Sequence, residues 1–211
     1  MVINYKYRFC FFQIPRTGST AIAETLVREC GSEYVGRRHS TIEEFLEVSS
    51  EDTRKYFTAA GVRNPLDSMV SKYFKIKNNH KNTVQYPKKK STGRSLSQKR
   101  LHMAQDIFQN NHSFSSFFKK YGDQVRWFNP KHMATIQQVD YLIRFEHIQK
   151  DFDRFAEKTG MPKVEIPQIN STQNRERDFR SYFDEDIIPS VINLMEVHMD
   201  QLGYEFPKEW R

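Results

Sequence analysis

The most informative stretch of the chain is YRFCFFQIPRTGSTAIAETLVRECG, residues 7–31. Its first part, residues 7–14, is a continuous apolar and aromatic run that is typical of a buried parallel strand. Residues 15–19 interrupt this run. From Thr20 to Cys30 the apolar residues follow helical spacing, and Gly31 provides the stop. The stretch therefore predicts a strand, a tight loop and a helix.

The predicted tight loop has the composition of an anion-binding site. Gly18 allows the backbone to turn sharply, so the amides of residues 17–20 can point at one anion together with the helix N-terminus. Ser19 and Thr20 add hydroxyl donors, and Arg16 adds a permanent positive charge. An ordinary strand-to-helix turn with a Ser/Thr cap is the alternative. The loop is not a Walker A loop, because GxxxxGK[ST] is absent.

A second candidate anion site follows the next predicted strand, residues 56–62. In GVRNPLDSMVSKYF, residues 61–74, Arg63 stands at the strand end, and Ser71 lies two turns into a helix predicted over 65–77. Arg63 can reach back over Ser71 to clamp a dianion, although a capped helix with an exposed Arg and Ser is the alternative. Two anion sites at neighbouring strand ends suit a ligand with both 5′ and 3′ phosphates.

The rest of the chain alternates short strands with helices. A strand is predicted over 34–36 and another over 139–145, and Ser40-Thr41-Ile42-Glu43 fits a capping box at a helix start. Further helices are predicted over 101–109, 114–121, 146–159 and 184–202. We therefore expect an α/β fold in one domain over residues 1–211, with a mostly parallel central sheet flanked by helices. Ligands of such sheets bind at the carboxyl ends of the strands.

The positive charge of the chain is concentrated in one segment. The net charge is +7, and residues 77–100, KNNHKNTVQYPKKKSTGRSLSQKR, hold eight Lys and Arg and no acid, so the remainder has a net charge of −1. This distribution argues against a general nucleic-acid-binding protein and favours a local basic loop that faces an anion.

Composition narrows the class of protein further. With 37% hydrophobic and 28% charged residues, the 211-residue chain is expected to be soluble and globular. It has no apolar run of about 20 residues and no secretory signal at its start, so we expect it to stay in the cytoplasm. Cys10 and Cys30 are expected to be buried or partly buried free thiols. No Cys and His cluster has ligand spacing, so no metal is expected.

Taken together, these motifs resemble those of sulfotransferases that use 3′-phosphoadenosine 5′-phosphosulfate (PAPS). IPRTGSTAIAETL, residues 14–26, is similar to the 5′-phosphosulfate loop of that family, and VRNPLDSMVSKYF, residues 62–74, to its 3′-phosphate motif. YLIRFEHIQKDFDRFAEKTGMP, residues 141–162, is similar to the third block of the carbohydrate-type members, and LGYEF near Gly203 fits the same group. The resemblance covers most of the chain except residues 77–138.

The resemblance implies a fold like that of the P-loop-containing nucleotide hydrolases and a reaction without a metal. PAPS would donate a sulfuryl group to an acceptor hydroxyl on a carbohydrate. Arg16 would stand in place of the family's basic residue, often Lys, and stabilise the bridging oxygen as it leaves. The residues that would bind the 5′-phosphosulfate are Thr17, Gly18, Ser19 and Thr20.

Two further parts of the nucleotide site follow from the same resemblance. Arg63 and Ser71 would hold the 3′-phosphate, and Asn170-Ser171 would belong to the loop that closes over the nucleotide. Ala21 departs from the family, because many members have Ser or Thr there. This departure removes a possible hydroxyl contact and leaves the backbone amides in place.

His39 is the candidate for the base that removes the acceptor's proton, a task that histidine usually performs near neutral pH. It is predicted on a loop between the strand at 34–36 and the helix start near Ser40, and glycan sulfotransferases often carry a His in this interval. A surface histidine beside Arg37 and Arg38 is the alternative. His80 and His102 are the reserve candidates.

Two other functions compete with sulfuryl transfer. One is a P-loop nucleotide or small-molecule kinase, against which the missing Walker Lys argues. The other is a non-catalytic polyanion-binding module that uses residues 77–100, which does not account for two motifs at strand ends.

The basic residues of the predicted loop at 77–100 are either solvated or recruit an acidic glycan acceptor. Small alcohols, phenols and peptide Tyr also remain open as acceptors. The candidate contacts with an acidic glycan are Lys88, Lys89, Lys90 and Arg94.

Overall fold

The computed structural model describes residues 1–79, 84, 98–167 and 175–210. The chain divides into two compact units. The first unit comprises Met1–Asn64 and Phe128–Ser171, and the second comprises Pro65–Trp127 and Thr172–Arg211.

A five-stranded sheet forms the centre of the first unit. Its strands are β1 (Val2–Asn4), β2 (Phe9–Phe12), β3 (Glu33–Tyr34), β4 (Phe57–Val62) and β5 (Tyr141–Arg144), in the order β3-β1-β2-β4-β5. β2 pairs with β4 and β4 with β5 in parallel, whereas β1 pairs antiparallel with both β2 and β3. The sheet is therefore mixed. The prediction of a mostly parallel sheet is wrong for β1 and β3, because both pairings of β1 are antiparallel.

A tight turn between β1 and β2 explains this difference. Arg8 has a φ of 55°, which reverses the chain. The buried Asn4 side chain fixes the turn, because its Oδ1 accepts from the Tyr7 amide at 2.8 Å and its Nδ2 donates to the Cys30 carbonyl at 2.8 Å. The predicted strand over 7–14 is consequently shortened, and a short strand that the sequence analysis missed precedes it.

Eight α-helices lie within the described residues, and most agree with the predicted spans. The helix predicted at 20–30 begins one residue earlier, and a 3₁₀ turn precedes each of the last two helices. The helices are α1 (Ser19–Cys30), α2 (Ile42–Val48), α3 (Pro65–Lys77), α4 (Gln98–Gln109), α5 (Phe114–Tyr121), α6 (Pro130–Gln138), α7 (Ile148–Thr159) and α8 (Ile188–Leu202).

The capping box at the start of α2 lies one residue later than predicted. Thr41 is the N-cap, and its partner is Glu44 rather than Glu43. Ser40 instead donates its hydroxyl to the Arg37 carbonyl at 2.8 Å, which closes the preceding turn. This turn carries the segment that contains His39.

The core of the first unit packs β2 and β4 against α1 and α7. Phe9 meets Phe155 edge to face, with ring centroids 5.0 Å apart, and Ile22 and Leu26 from α1 are fully buried in the same cluster. Cys10 and Cys30 are buried free thiols, as predicted. These contacts hold the carboxyl ends of the parallel strands in fixed positions.

The second unit contains α3, α4, α5 and α8. Its aromatic core includes Tyr73 and Phe117, whose ring centroids are 5.4 Å apart. Asp106 on α4 accepts from Tyr121 Oη at 2.7 Å and from Lys120 Nζ at 3.0 Å, and these donors hold the pKa of Asp106 well below its usual range. None of the helices in the described ranges combines the length and apolar content needed to cross a bilayer.

Candidate functional site

The loop of residues 15–20, here called the anion loop, joins β2 to α1 and folds back over the end of its strand. Gly18 is the N-cap of α1, with φ 73° and ψ 3°. Thr17 Oγ1 and Ser19 Oγ both donate to the Ile14 carbonyl, at 2.9 Å and 2.6 Å. These two bonds close the loop, so α1 begins directly beside the carboxyl end of β2.

The first turn of α1 is suited to an anion. The N–H groups of a first helical turn have no acceptor within the helix, and the helix dipole adds positive potential there. No acidic residue lies in the first turn of α1. A phosphate or sulfate group at this position would therefore be stabilised by backbone amides and by the dipole.

Two glycines allow the close packing around the anion loop. A Cβ added at Gly18 would lie 2.8 Å from Ile148 Cδ1 and 3.1 Å from Phe145 Cδ2. A Cβ added at Gly61 on β4 would lie 2.4 Å from Thr17 Oγ1. The anion loop is thus held against both β4 and the segment after β5.

Two arginines meet at the carboxyl ends of β2 and β4. Arg63 Nη1 donates to the Arg16 carbonyl at 3.2 Å. The pKa of the Arg16 guanidinium is lowered, first by burial and then by the charge of Arg63. Arg16 also has a φ of 76°, a left-handed conformation that is uncommon for a residue with a side chain and that often marks functional sites. Because like charges repel, a dianion beside this pair would stabilise it.

Phe145 completes this edge of the sheet, directly after β5. The Arg63 guanidinium carbon lies 4.0 Å from the centroid of its ring. The neighbouring Glu146 accepts from the Asn64 amide at 2.7 Å, which ties the chain after β4 to the chain after β5. Sequence analysis assigned no role to Phe145. The only sequence feature that pointed to Phe145 was its place in residues 141–162, the stretch that resembles the third block of the family.

The hydroxyl groups of the anion loop have different partners. Thr17 and Ser19 are 4% and 3% exposed, and their protons are used in the bonds to Ile14. Thr20 Oγ1 accepts from Arg38 Nη2 at 2.7 Å and retains its own proton as a donor. In this structure, therefore, Thr17 and Ser19 would reach an anion through their amides, whereas Thr20 can also use its hydroxyl.

His39 lies beside the strand that leads into the anion loop. Its Nδ1 is 2.7 Å from the Gln13 carbonyl oxygen. Because a carbonyl only accepts, Nδ1 carries the proton in the neutral ring, and Nε2 is then an acceptor. The pKa of His39 is lowered, chiefly by partial burial and further by the charges of His132 and Arg38, while the Gln13 bond opposes the shift. These features suit a proton acceptor.

His132 on α6 is a neighbour that the sequence analysis did not single out. Its Nε2 is 3.3 Å from the His39 carbonyl oxygen, and the two rings are 6.3 Å apart. The signal for α6 was present in Asn129-Pro130, because Asn129 is the N-cap and Pro130 occupies the first turn.

The remaining predicted site residues belong to the second unit or fall outside the described residues. Ser71 is buried in α3 and His102 lies on α4, both in the second unit, so the pairing of Arg63 with Ser71 stays a prediction. Within residues 1–79, 84, 98–167 and 175–210, no three His, Cys, Asp or Glu side chains are grouped as metal ligands would be. The predicted residues outside the described ranges are His80, Lys88, Lys89, Lys90, Arg94, Asn170 and Ser171.

Comparison with known proteins gives one family. The model of the sulfotransferase family matches residues 1–204, nearly the whole chain. No curated protein and no solved structure matches the chain significantly.

Proposed function

This chain belongs to the sulfotransferase family, and we propose that it transfers the sulfuryl group of PAPS to a hydroxyl of a carbohydrate acceptor. One observation carries the choice of donor: Arg63 donates to the backbone carbonyl of Arg16, so two arginines stand beside the N-terminus of α1. PAPS carries anionic groups at its 5′ and 3′ positions. The anion loop would hold the 5′-phosphosulfate, and Arg63, with Ser71, the 3′-phosphate.

Each group of the site has a separate role in the proposed reaction. The acceptor oxygen attacks sulfur while His39 Nε2 takes its proton. The bond between sulfur and the bridging oxygen of the 5′-phosphate breaks, and the electron pair stays on that oxygen. Arg16 and the amides of the anion loop stabilise the charge that grows on the leaving phosphate. The products are a sulfate ester and adenosine 3′,5′-bisphosphate (PAP).

A thermal-shift panel tests the choice of donor. PAP at a hundredfold excess over its dissociation constant should stabilise the folded protein by about 2.7 kcal/mol. At the same concentration, ADP, which lacks the 3′-phosphate, should give a much smaller shift in melting temperature. Mg²⁺ should be dispensable for the shift with PAP. Equal shifts with PAP and ADP, or a strict requirement for Mg²⁺, would favour the kinase alternative instead.

The carbohydrate part of the proposal needs a transfer assay. Labelled PAPS would be incubated with acidic glycans, neutral glycans, a phenol and a tyrosine-containing peptide, and sulfated products would be identified by mass spectrometry. We expect sulfate on the glycans, with the acidic ones preferred because of the basic residues in 77–100. Sulfation of the phenol or peptide alone would refute the proposed acceptor and keep the proposed donor.

A further inference from the structure

The first unit contains an open hollow to which the steps described above assign no role. Its volume is about 320 Å³, and it is lined by Met1, Glu24, Tyr34, Gly36, Arg37 and Arg38. This volume lies near the lower end of the range for small-molecule sites, roughly 300–1,000 Å³. The hollow therefore suits a compact ligand such as one sugar ring.

The walls of the hollow carry more positive than negative charge. Arg37 and Arg38 contribute two guanidinium groups, whereas Glu24 contributes one carboxylate. Arg37 also pairs with Glu44 outside the hollow, and its side chain is 77% exposed. A guanidinium has five N–H donors, so one ion pair leaves donors for a second anion. A carboxylate or sulfate matches the forked geometry of these donors.

An aromatic ring forms another wall. Tyr34 lies on β3, at the edge of the sheet, and is 54% exposed. Partial burial is the chief cause that raises the pKa of its phenol, Glu24 raises this pKa further, and Arg38 opposes the shift. An exposed tyrosine offers a flat apolar face with a polar edge, and such a surface can contact the face of a sugar ring.

Arg38 connects the hollow with the proposed reaction site. It lines the hollow, donates to Thr20 of the anion loop at 2.7 Å, and directly precedes His39. Arg38 therefore links a wall of the hollow to the anion loop, and it is adjacent in the chain to the proposed base.

We propose that this hollow binds an acidic sugar ring as the acceptor, with its carboxylate or sulfate on Arg37 and Arg38 and its face on Tyr34. The role as acceptor site rests on the proposed function, whereas the binding of an acidic sugar does not. The hollow is also distinct from the predicted basic loop at 77–100, because the residues that line the hollow belong to the first unit.

The test is a ligand-observed NMR titration of the protein saturated with PAP. The probes are methyl β-D-glucuronide, the 6-sulfate of methyl β-D-glucoside, and methyl β-D-glucoside itself, which differ at carbon 6. We expect at least one acidic probe to bind about tenfold more tightly than the neutral one, the effect of one charge-assisted contact of about 1.4 kcal/mol. The comparison of the two acidic probes identifies the preferred anion.

Variants then locate the binding site. Arg37→Gln should reduce the preference for the acidic probe and leave PAP binding unchanged, whereas Tyr34→Ala should weaken all three probes alike. Arg28→Gln is the matched control, because Arg28 is an exposed arginine on α1 that pairs with Glu29 and does not line the hollow.

Each outcome decides the proposal. Equal binding of acidic and neutral probes overturns it, as does a preference that is as large in Arg37→Gln as in the parent protein or that disappears in Arg28→Gln. Weaker PAP binding in Arg37→Gln would assign the hollow to the nucleotide and also overturn it. An acidic preference that depends on Arg37, without sulfuryl transfer to any probe, supports the binding site and refutes its role in the proposed reaction.

Discussion

The Arg63 side chain donates to the backbone carbonyl of Arg16 over 3.2 Å, so the cation after β4 supports the loop after β2. A single arginine thus has two tasks, to position the anion loop and to present positive charge at the edge of the sheet. Its ring contact with Phe145 restricts the guanidinium further. The site therefore depends on three parallel strands rather than on one loop.

Arg63→Ala should weaken PAP binding by roughly a hundredfold, because loss of a buried, hydrogen-bonded charge typically costs 2–5 kcal/mol. Arg63→Lys should keep part of the affinity, since a lysine supplies charge without the planar fork. Isothermal titration calorimetry with PAP measures both effects, and Arg28→Ala serves as the control. Unchanged affinity in Arg63→Ala would show that Arg63 only supports the start of the helix.

Arg16→Asn should separate turnover from binding. Asparagine tolerates the left-handed backbone that Arg16 adopts at φ 76°, so this variant removes the charge with little change in loop shape. We expect kcat to fall by roughly 10²–10³-fold, as for other groups that stabilise charge in the transition state. The dissociation constant of PAP should change far less. If the PAP affinity falls as much as kcat does, Arg16 is a binding residue only.

His39→Ala should bind PAP normally and lose roughly 10²–10⁴-fold in transfer rate. In the parent protein, kcat/KM should rise with pH through a pKa below that of a free imidazole, about 6.5, because the pKa of His39 is lowered. The neutral base is thus available at a lower pH than usual. A pH profile without this limb, or near-normal turnover in His39→Ala, would transfer the role to His80 or His102.

The local elements of this fold were largely predictable from the sequence, because capping residues and apolar spacing mark them. Gly31 ends α1 and Gly160 ends α7, both in left-handed conformations, and Pro65 begins α3. The bounds of α5 also agree. β1 was missed because three residues show no periodicity, and Asn4 is a buried polar side chain whose Nδ2 donates to residues 26 and 28 positions away.

The candidate site was predictable only in part. The anion loop and Arg63 follow from residue types and their position after strands. The contact of Phe145 with Arg63 and the approach of Thr17 to Gly61 depend on how β2, β4 and β5 pair, and no local pattern encodes these neighbours. The mixed sheet has the same cause, since the pairing of β1 was not visible.

Gly61→Ala should destabilise the fold and the anion loop together. The added methyl group would lie 2.4 Å from Thr17 Oγ1, and overpacking of this kind typically costs about 1–3 kcal/mol. Urea unfolding measures the loss in the free energy of unfolding. Thr17→Ala in the same chain should restore part of it, because the clashing hydroxyl is gone. Additive effects of the two changes would mean that these side chains do not meet.

The segment predicted as a basic loop, residues 77–100, is tested with a separate variant. Replacing Lys88, Lys89 and Lys90 by Ser should raise KM for an acidic glycan, leave PAP affinity unchanged and flatten the salt dependence of KM, since attraction between charges steers binding and is screened by ions. Replacing the exposed Lys55 by Ser provides a control outside this segment. If the triple variant treats acidic and neutral glycans as the parent does, the loop has no part in choosing the acceptor.

The pairing of β4 with β5 has a consequence for the ribosome-bound chain. Thr58 and Asp140, which share hydrogen bonds where these strands begin to pair, are 82 residues apart. At a translation rate of roughly 5–20 residues per second, β4 would remain unpaired with β5 for on the order of 4–16 s. The β1–β2 hairpin and α1 can form long before Phe145 is synthesised. A nascent chain would therefore expose the unpaired edge of β4 through this interval, when binding by a chaperone would be most useful.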